Sequence, residues 1–85
     1  NLTAQVIHVL DEALGLQGRS ADFQRDTALL GALPELDSMA VLALITGLEN
    51  HFGIVFSDED LHGSVFATVG SLCDLVEQAL AQQDT

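Results

Sequence analysis

Few residues in this chain have the chemistry to act on anything. Ser38 lies in Asp37-Ser38-Met39, where the loop Leu33-Pro34-Glu35-Leu36 gives way to the apolar stretch from Ala40 to Phe52. His8, His51 and His62 are scattered, Cys73 is the sole cysteine, and Ser57-Asp58-Glu59-Asp60 is a short acidic run. A serine nucleophile needs an activating base. No Gly-x-Ser-x-Gly elbow surrounds Ser38, and the spacing brings no histidine to it, so ester hydrolysis is a distant reading. As a plain N-cap it would accept backbone N–H bonds, the ordinary role of serine at a helix start. As an attachment point for a phosphate-linked group it would gain from the unpaired N–H groups and positive dipole end of the helix. Asp37 opposes a phosphate's charge, so its expected part is to help a modifying enzyme place a metal ion or basic groups. The acidic run lacks the twelve-residue pattern and central glycine of a calcium loop, and Cys73 has no partner at metal spacing, so no metal centre is expected.

The elements that must position Ser38 follow from periodicity. Leu2, Val6, Val9, Leu10, Ala13 and Leu14 recur at helical spacing, predicting a helix over residues 3–15 that starts at Asn1 or Thr3 and stops at Gly15. Residues 16–37 form a long connection, and one of that length needs anchors of its own; Phe23 and the Leu29-Leu30 pair are expected to supply them. A second helix runs from Ser38 to Phe52 and ends at Gly53. Ser57 and Asp60 suit a capping box that opens a short third helix. Thr68 caps a last helix to about Gln82, with Val69, Leu72, Cys73, Val76, Ala79 and Leu80 inward. The expected fold is all-α: a single domain over residues 1–85, a four-helix bundle with three longer helices, one short third helix and a long first loop.

The second helix is apolar on more than one face. Val41, Leu44, Ile45, Leu48 and Phe52 follow the core spacing, which leaves Met39, Ala40, Leu42, Ala43 and Thr46 opposite. A domain of 85 residues is too small to cover both faces. An exposed apolar strip beside Ser38 is therefore expected, and such strips mark docking surfaces. Met39, Leu42, Ala43, Thr46 and Glu49 are the candidate docking residues.

Charge limits the partners. Thirteen carboxylates stand against Arg19 and Arg25, a formal charge of −11. A basic nucleic-acid surface is excluded, and an anionic membrane would repel the domain. Partners should present basic or apolar surfaces. One cysteine forms no internal disulfide, which fits a reducing, cytoplasmic setting. No apolar run is long enough to span a bilayer, and a monomer is expected.

Taken together, Asp37-Ser38-Met39, the helix ending in Leu48-Glu49-Asn50-His51-Phe52-Gly53-Ile54, then Ser57-Asp58-Glu59-Asp60-Leu61 and Thr68-Val69-Gly70-Ser71-Leu72 resemble the acyl carrier protein family along essentially the whole chain. The resemblance implies that Ser38 is esterified to 4′-phosphopantetheine by a phosphopantetheinyl transferase, with Asp37 and Met39 as recognition context. The arm's thiol would hold acyl groups as thioesters for acyl-transferring or acyl-activating enzymes, and the protein itself would catalyse nothing. Two departures bear on which carrier this is. Pro34-Glu35-Leu36 replaces the Leu-Gly-x that often precedes Asp-Ser in the family, and the early recognition helix lacks acids, the first after Asp37 being Glu49. Both favour a specialised pathway over housekeeping fatty-acid synthesis, with apolar docking near Ser38 and charge farther off at Glu35, Glu49, Asp58, Glu59 and Asp60. An aminoacyl or peptidyl carrier shares the site but usually shows glycines before Asp-Ser and less acidity. An unmodified helical adaptor is the third reading.

Overall fold

The computed structural model describes residues 1–34 and 36–83, the last without its side chain. It holds three α-helices: α1 (Leu2–Leu14), α2 (Ser38–Phe52) and α3 (Val69–Gln83). Asn1 starts α1, its side-chain oxygen accepting the Thr3 and Ala4 N–H groups at 2.9 and 3.4 Å. Gly15 ends α1 in the left-handed region at φ 64°, where a β-carbon would be strained. Val6, Val9 and Leu10 point from α1 into the core, meeting Leu44 and Leu48 of α2 and Leu72, Cys73 and Val76 of α3. Cys73 is a free, buried thiol among these apolar groups.

The long connection is held by backbone pairing as well as by side chains. Leu29 and Leu30 N–H donate to the Ala67 and Phe66 carbonyls at 2.8 and 3.1 Å, while Val69 and Gly70 N–H donate to the Thr27 and Arg25 carbonyls at 3.1 and 2.7 Å. These bonds lace residues 25–30 to the start of α3 and satisfy backbone groups that would otherwise be orphaned. A β-carbon on Gly70 would sit 3.0 Å from the Arg25 carbonyl oxygen, so the close approach depends on glycine there. Arg25 also pairs with Asp74 at 2.9 Å. Phe23 is half-buried and Leu29 fully buried, as their anchoring role requires. Leu30 departs from the expectation. Its side chain is 48% exposed, because the chain turns at Leu30, with the Ala32 and Leu33 N–H groups closing back on the Leu29 carbonyl.

The segment after α2 also differs in detail. Ile54 and Phe56 are buried and Val55 is 85% exposed, the alternation of an extended run. In place of one capped third helix there are two short 3₁₀ turns, Asp58–Asp60 and Gly63–Phe66. The expected Ser57 capping box does not form; the serine side chain makes no cap hydrogen bond. The cap expected at Thr68 does form. Thr68 and Ser71 hydroxyls accept each other's backbone N–H, each at 3.1 Å, which fixes the first turn of α3.

One acid of α1, Asp11, bonded to the first loop, carries a pH prediction. The Ser20 hydroxyl donates to Asp11 at 2.6 Å and the Gly18 N–H at 3.1 Å, and these bonds hold Asp11 below its ordinary pKa of 3.8. A depressed acid stabilises the fold fully above its unfolded pKa, and that contribution fades as pH falls through the folded value. Wild-type stability should therefore drop below pH 3.8, and Ser20→Ala should flatten that part of the profile. Thermal melts followed by circular dichroism across acidic pH would read the difference.

Candidate functional site

Asp37, and not Ser38, caps α2. Asp37 sits in extended backbone at φ −99°, its carboxylate accepts the Ala40 N–H at 2.8 Å, and its carbonyl accepts the Val41 N–H at 2.9 Å. Ser38 is thereby the first residue inside the helix, so the hydroxyl is not occupied in capping. The same contact gives Asp37 a local role the sequence did not suggest: its charge sits at the positive end of α2. Asp37→Ala should cost about 1 kcal/mol and fray the first turn. A lowered melting temperature, together with faster amide exchange at Met39 and Ala40, would show it.

Ser38 is exposed, and among the described residues no group engages its Oγ. Its position is nevertheless fixed. Leu36 is buried just before it and Leu44, fully buried, follows within two turns, so the serine stands on a pinned corner. The approach is a series of tight turns, with Leu33 N–H on the Leu29 carbonyl at 2.9 Å and Leu36 N–H on the Leu33 carbonyl at 3.1 Å. Glu35 lies outside the described residues.

Among the described residues, no histidine is hydrogen-bonded to this hydroxyl. His8 faces Glu12 at 3.2 Å, and its ring lies 6.5 Å from that of His51. His51 is far along α2, about 20 Å from Ser38 at 1.5 Å per residue. His62 is hydrogen-bonded to Ser64 at 2.6 Å. An exposed hydroxyl in the first turn of a helix, free of core contacts, suits a phosphodiester: the ester displaces nothing, and the helix end favours its charge.

The candidate docking residues share one exposed face. Met39 and Leu42 are 78% and 66% exposed, and Ala43 and Thr46 are exposed beside them. Glu49 is different. It is half-buried, and its carboxylate accepts the Phe56 N–H at 2.9 Å, which ties the segment after Gly53 back to α2. Leu30 and Val55 are further exposed apolar residues that helical periodicity could not single out; for Val55 the signal was the alternation in Ile54-Val55-Phe56. Among the described residues, no group of three or more His, Cys, Asp and Glu side chains could hold a metal ion. No helix of the described residues is long and apolar enough to cross a membrane.

The family described as phosphopantetheine attachment site matches residues 4–76. The fold is similar to the solution structure of a holo acyl carrier protein from Nitrosomonas europaea, with 40% identity, a TM-score of 0.87, and coverage of 94% of this chain and 95% of that one. It is also similar to that of a holo acyl carrier protein from Geobacter metallireducens, with 26% identity, a TM-score of 0.75, and coverage of 95% and 87%. Comparison with curated protein sequences gives no match. The group that this family attaches covalently is 4′-phosphopantetheine, and its members are carriers, not enzymes. With the attachment-site match spanning most of the sequence and the fold shared with holo carriers, the chain belongs to the phosphopantetheine-attachment family of acyl carrier proteins.

Proposed function

We propose that Ser38 is the attachment residue, and that this domain carries acyl groups as thioesters on its 4′-phosphopantetheine arm in a specialised pathway. The observation that carries the reading is the exposed Ser38 hydroxyl, left without a partner among the described residues because Asp37 takes the cap. In the loading step the Ser38 Oγ–phosphorus bond forms as the pyrophosphate bond of coenzyme A breaks. Adenosine 3′,5′-bisphosphate leaves, and the hydroxyl proton passes to the phosphopantetheinyl transferase. Ser38 would hold the ester at the positive end of α2, beside the first-turn N–H groups that Asp37 does not take, and the arm's thiol would supply the thioester chemistry.

Acyl-transferring or acyl-activating enzymes would dock on Met39, Leu42, Ala43 and Thr46. Between Ser38 and Leu48 the helix bears no charged residue, so the central contact is apolar and any basic groups of the partner meet the acids around it. Glu49 contributes by bracing the helix end, and Asp37 and Met39 frame the serine. This acid-poor surface is what supports a specialised pathway. The two 3₁₀ turns after α2 stand where a four-helix carrier bundle has its short third helix. A monomer in the cytoplasm completes the reading, and the free thiol of Cys73 suits a reducing compartment.

Incubation with a phosphopantetheinyl transferase and coenzyme A should raise the intact mass by one arm. Met39→Glu should lower kcat/KM for that reaction about tenfold, the scale of losing one apolar anchor, with little change in melting temperature. No mass gain under conditions that modify another carrier would overturn the proposal.

A further inference from the structure

The loop between α1 and α2 joins two places far apart in sequence, the start of α3 and the corner that carries Ser38. α2 and α3 each lie chiefly against α1. The loop, laced to one and continuous with the other, links their N-terminal ends. At its α3 end, Gly70 N–H donates to the Arg25 carbonyl at 2.7 Å, Val69 N–H donates to the Thr27 carbonyl at 3.1 Å, and Ala28 bridges Thr68. Leu29 is the node. Its N–H donates to the Ala67 carbonyl at 2.8 Å, its carbonyl accepts the Ala32 and Leu33 N–H groups at 3.0 and 2.9 Å, and its side chain is fully buried. The Leu33 carbonyl in turn accepts the Leu36 N–H at 3.1 Å, Leu36 is buried, and Asp37 caps α2 immediately before Ser38. A continuous series of bonds runs from the first turn of α3 to the first turn of α2.

We propose that Gly70 is a positioning residue for the loading of Ser38: by admitting the Arg25 carbonyl to the start of α3, it sets where the loop places the serine. This role presupposes the attachment at Ser38 and adds a residue, on another helix, that governs how the hydroxyl is presented. Gly70 is buried, and a β-carbon there would lie 3.0 Å from the Arg25 carbonyl oxygen and 3.5 Å from the Arg25 Cβ. The α3 side of this contact is braced. Thr68 and Ser71 exchange hydrogen bonds across that turn, and the Ser71 hydroxyl also donates to the Val65 carbonyl at 2.7 Å. Arg25 lies on the exposed side, so a side chain at position 70 displaces the loop and not the helix. At the other end, the N–H groups of the first turn of α2 lack intrahelical partners, so that turn depends on its cap and on the loop that delivers it. Leu42, Ala43 and Thr46 stand in later turns, which the buried Leu44 and Leu48 fix to the core. A displaced loop therefore moves the reacting hydroxyl more than the docking face.

Gly70→Ala gives the test. Alanine favours helix over glycine, so it supports α3 while straining the loop contact. Gly70 has no left-handed φ, so the substitution brings no backbone strain of its own. Wild-type and variant chains are loaded by a phosphopantetheinyl transferase with coenzyme A. Misplacing a reacting atom by ~1 Å costs up to about 100-fold, so for this smaller shift kcat should fall about tenfold while KM stays within about twofold. Amide exchange should quicken at Leu29, Leu33 and Met39 and stay slow at Leu72, Cys73 and Val76. Arg25→Ala removes the exposed tie to Asp74 but leaves the carbonyl bond to Gly70, so it should change kcat by less than about twofold. An unchanged kcat in Gly70→Ala, or a raised KM with kcat kept, would overturn the proposal while leaving Ser38 as the attachment residue. Lost protection at Leu72, Cys73 and Val76 would do the same, since Gly70 would then serve the fold alone. A larger loss in Arg25→Ala than in Gly70→Ala would place the effect in the ion pair and also overturn it. Failure to load the wild-type chain would overturn the attachment at Ser38 as well.

Discussion

Ser38→Ala is expected to abolish acceptance of the phosphopantetheine arm while leaving the fold unchanged. The loss is complete because the proposed reaction forms a bond to the Ser38 oxygen itself, and alanine offers none. The fold persists because the hydroxyl is exposed and engages no described residue, and because the cap of α2 belongs to Asp37. A surface change of this kind moves stability by about 0.5 kcal/mol or less. The other serines serve as internal controls. Ser57 and Ser64 are also exposed, but neither stands in the first turn of a long helix beside an apolar strip. If the transferase recognises the α2 corner and not any accessible serine, they stay unmodified in the variant. Intact mass spectrometry of the variant and wild type side by side reads the outcome.

Leu48→Ala carries the largest expected effect on stability. Leu48 is fully buried, part of the core that α1, α2 and α3 share. Removing a buried leucine side chain costs about 2–5 kcal/mol, with the spread set by how far neighbours collapse into the space. A domain of this size has only about 4–13 kcal/mol in total. The variant should therefore melt on the order of 10–30 °C lower, or be partly unfolded at room temperature. Val55→Ala removes apolar carbon from a side chain that is 85% exposed and should shift stability by about 0.5 kcal/mol or less. Denaturant unfolding of both variants tests whether α2 buries its Leu44–Leu48 face and leaves the segment after it unburdened. A comparable loss at Val55 would contradict the burial pattern.

Much of this architecture was legible before the structure, for local reasons. α1 is marked by Asn1, Gly15 and the Val6, Val9, Leu10 spacing, and the helix runs Leu2–Leu14 against an expected 3–15. α2 reads correctly at both ends because Gly53 can take the left-handed region, φ 66°, that closes it. The exposed Met39–Leu42 strip followed from size alone, since a helix apolar on two faces in so small a domain must show one. Non-local hydrogen bonds explain what periodicity missed. Leu29 and Leu30 are held by backbone bonds to Ala67 and Phe66, 38 and 36 residues away in sequence, and the turn that begins there leaves Leu30 exposed. Glu49, an apparent surface acid, is drawn to the Phe56 N–H across the turn at Gly53. Ser57 resembled a cap by spacing, yet the chain there forms only 3₁₀ turns. At the site, the Asp-Ser pair was recognised, but its division of labour was not. Either side chain can cap a helix, and only the backbone geometry assigns that task to Asp37 and frees Ser38.

The central claim is that one hydroxyl, Ser38 Oγ, holds the arm. Fragmentation mass spectrometry of the loaded protein, mapped peptide by peptide, tests it most directly. The account predicts a single phosphopantetheinyl group, found on the peptide that contains Asp37-Ser38-Met39 and on Ser38 within it. An arm on Ser57, Ser64 or any other residue, with Ser38 unmodified, would contradict it.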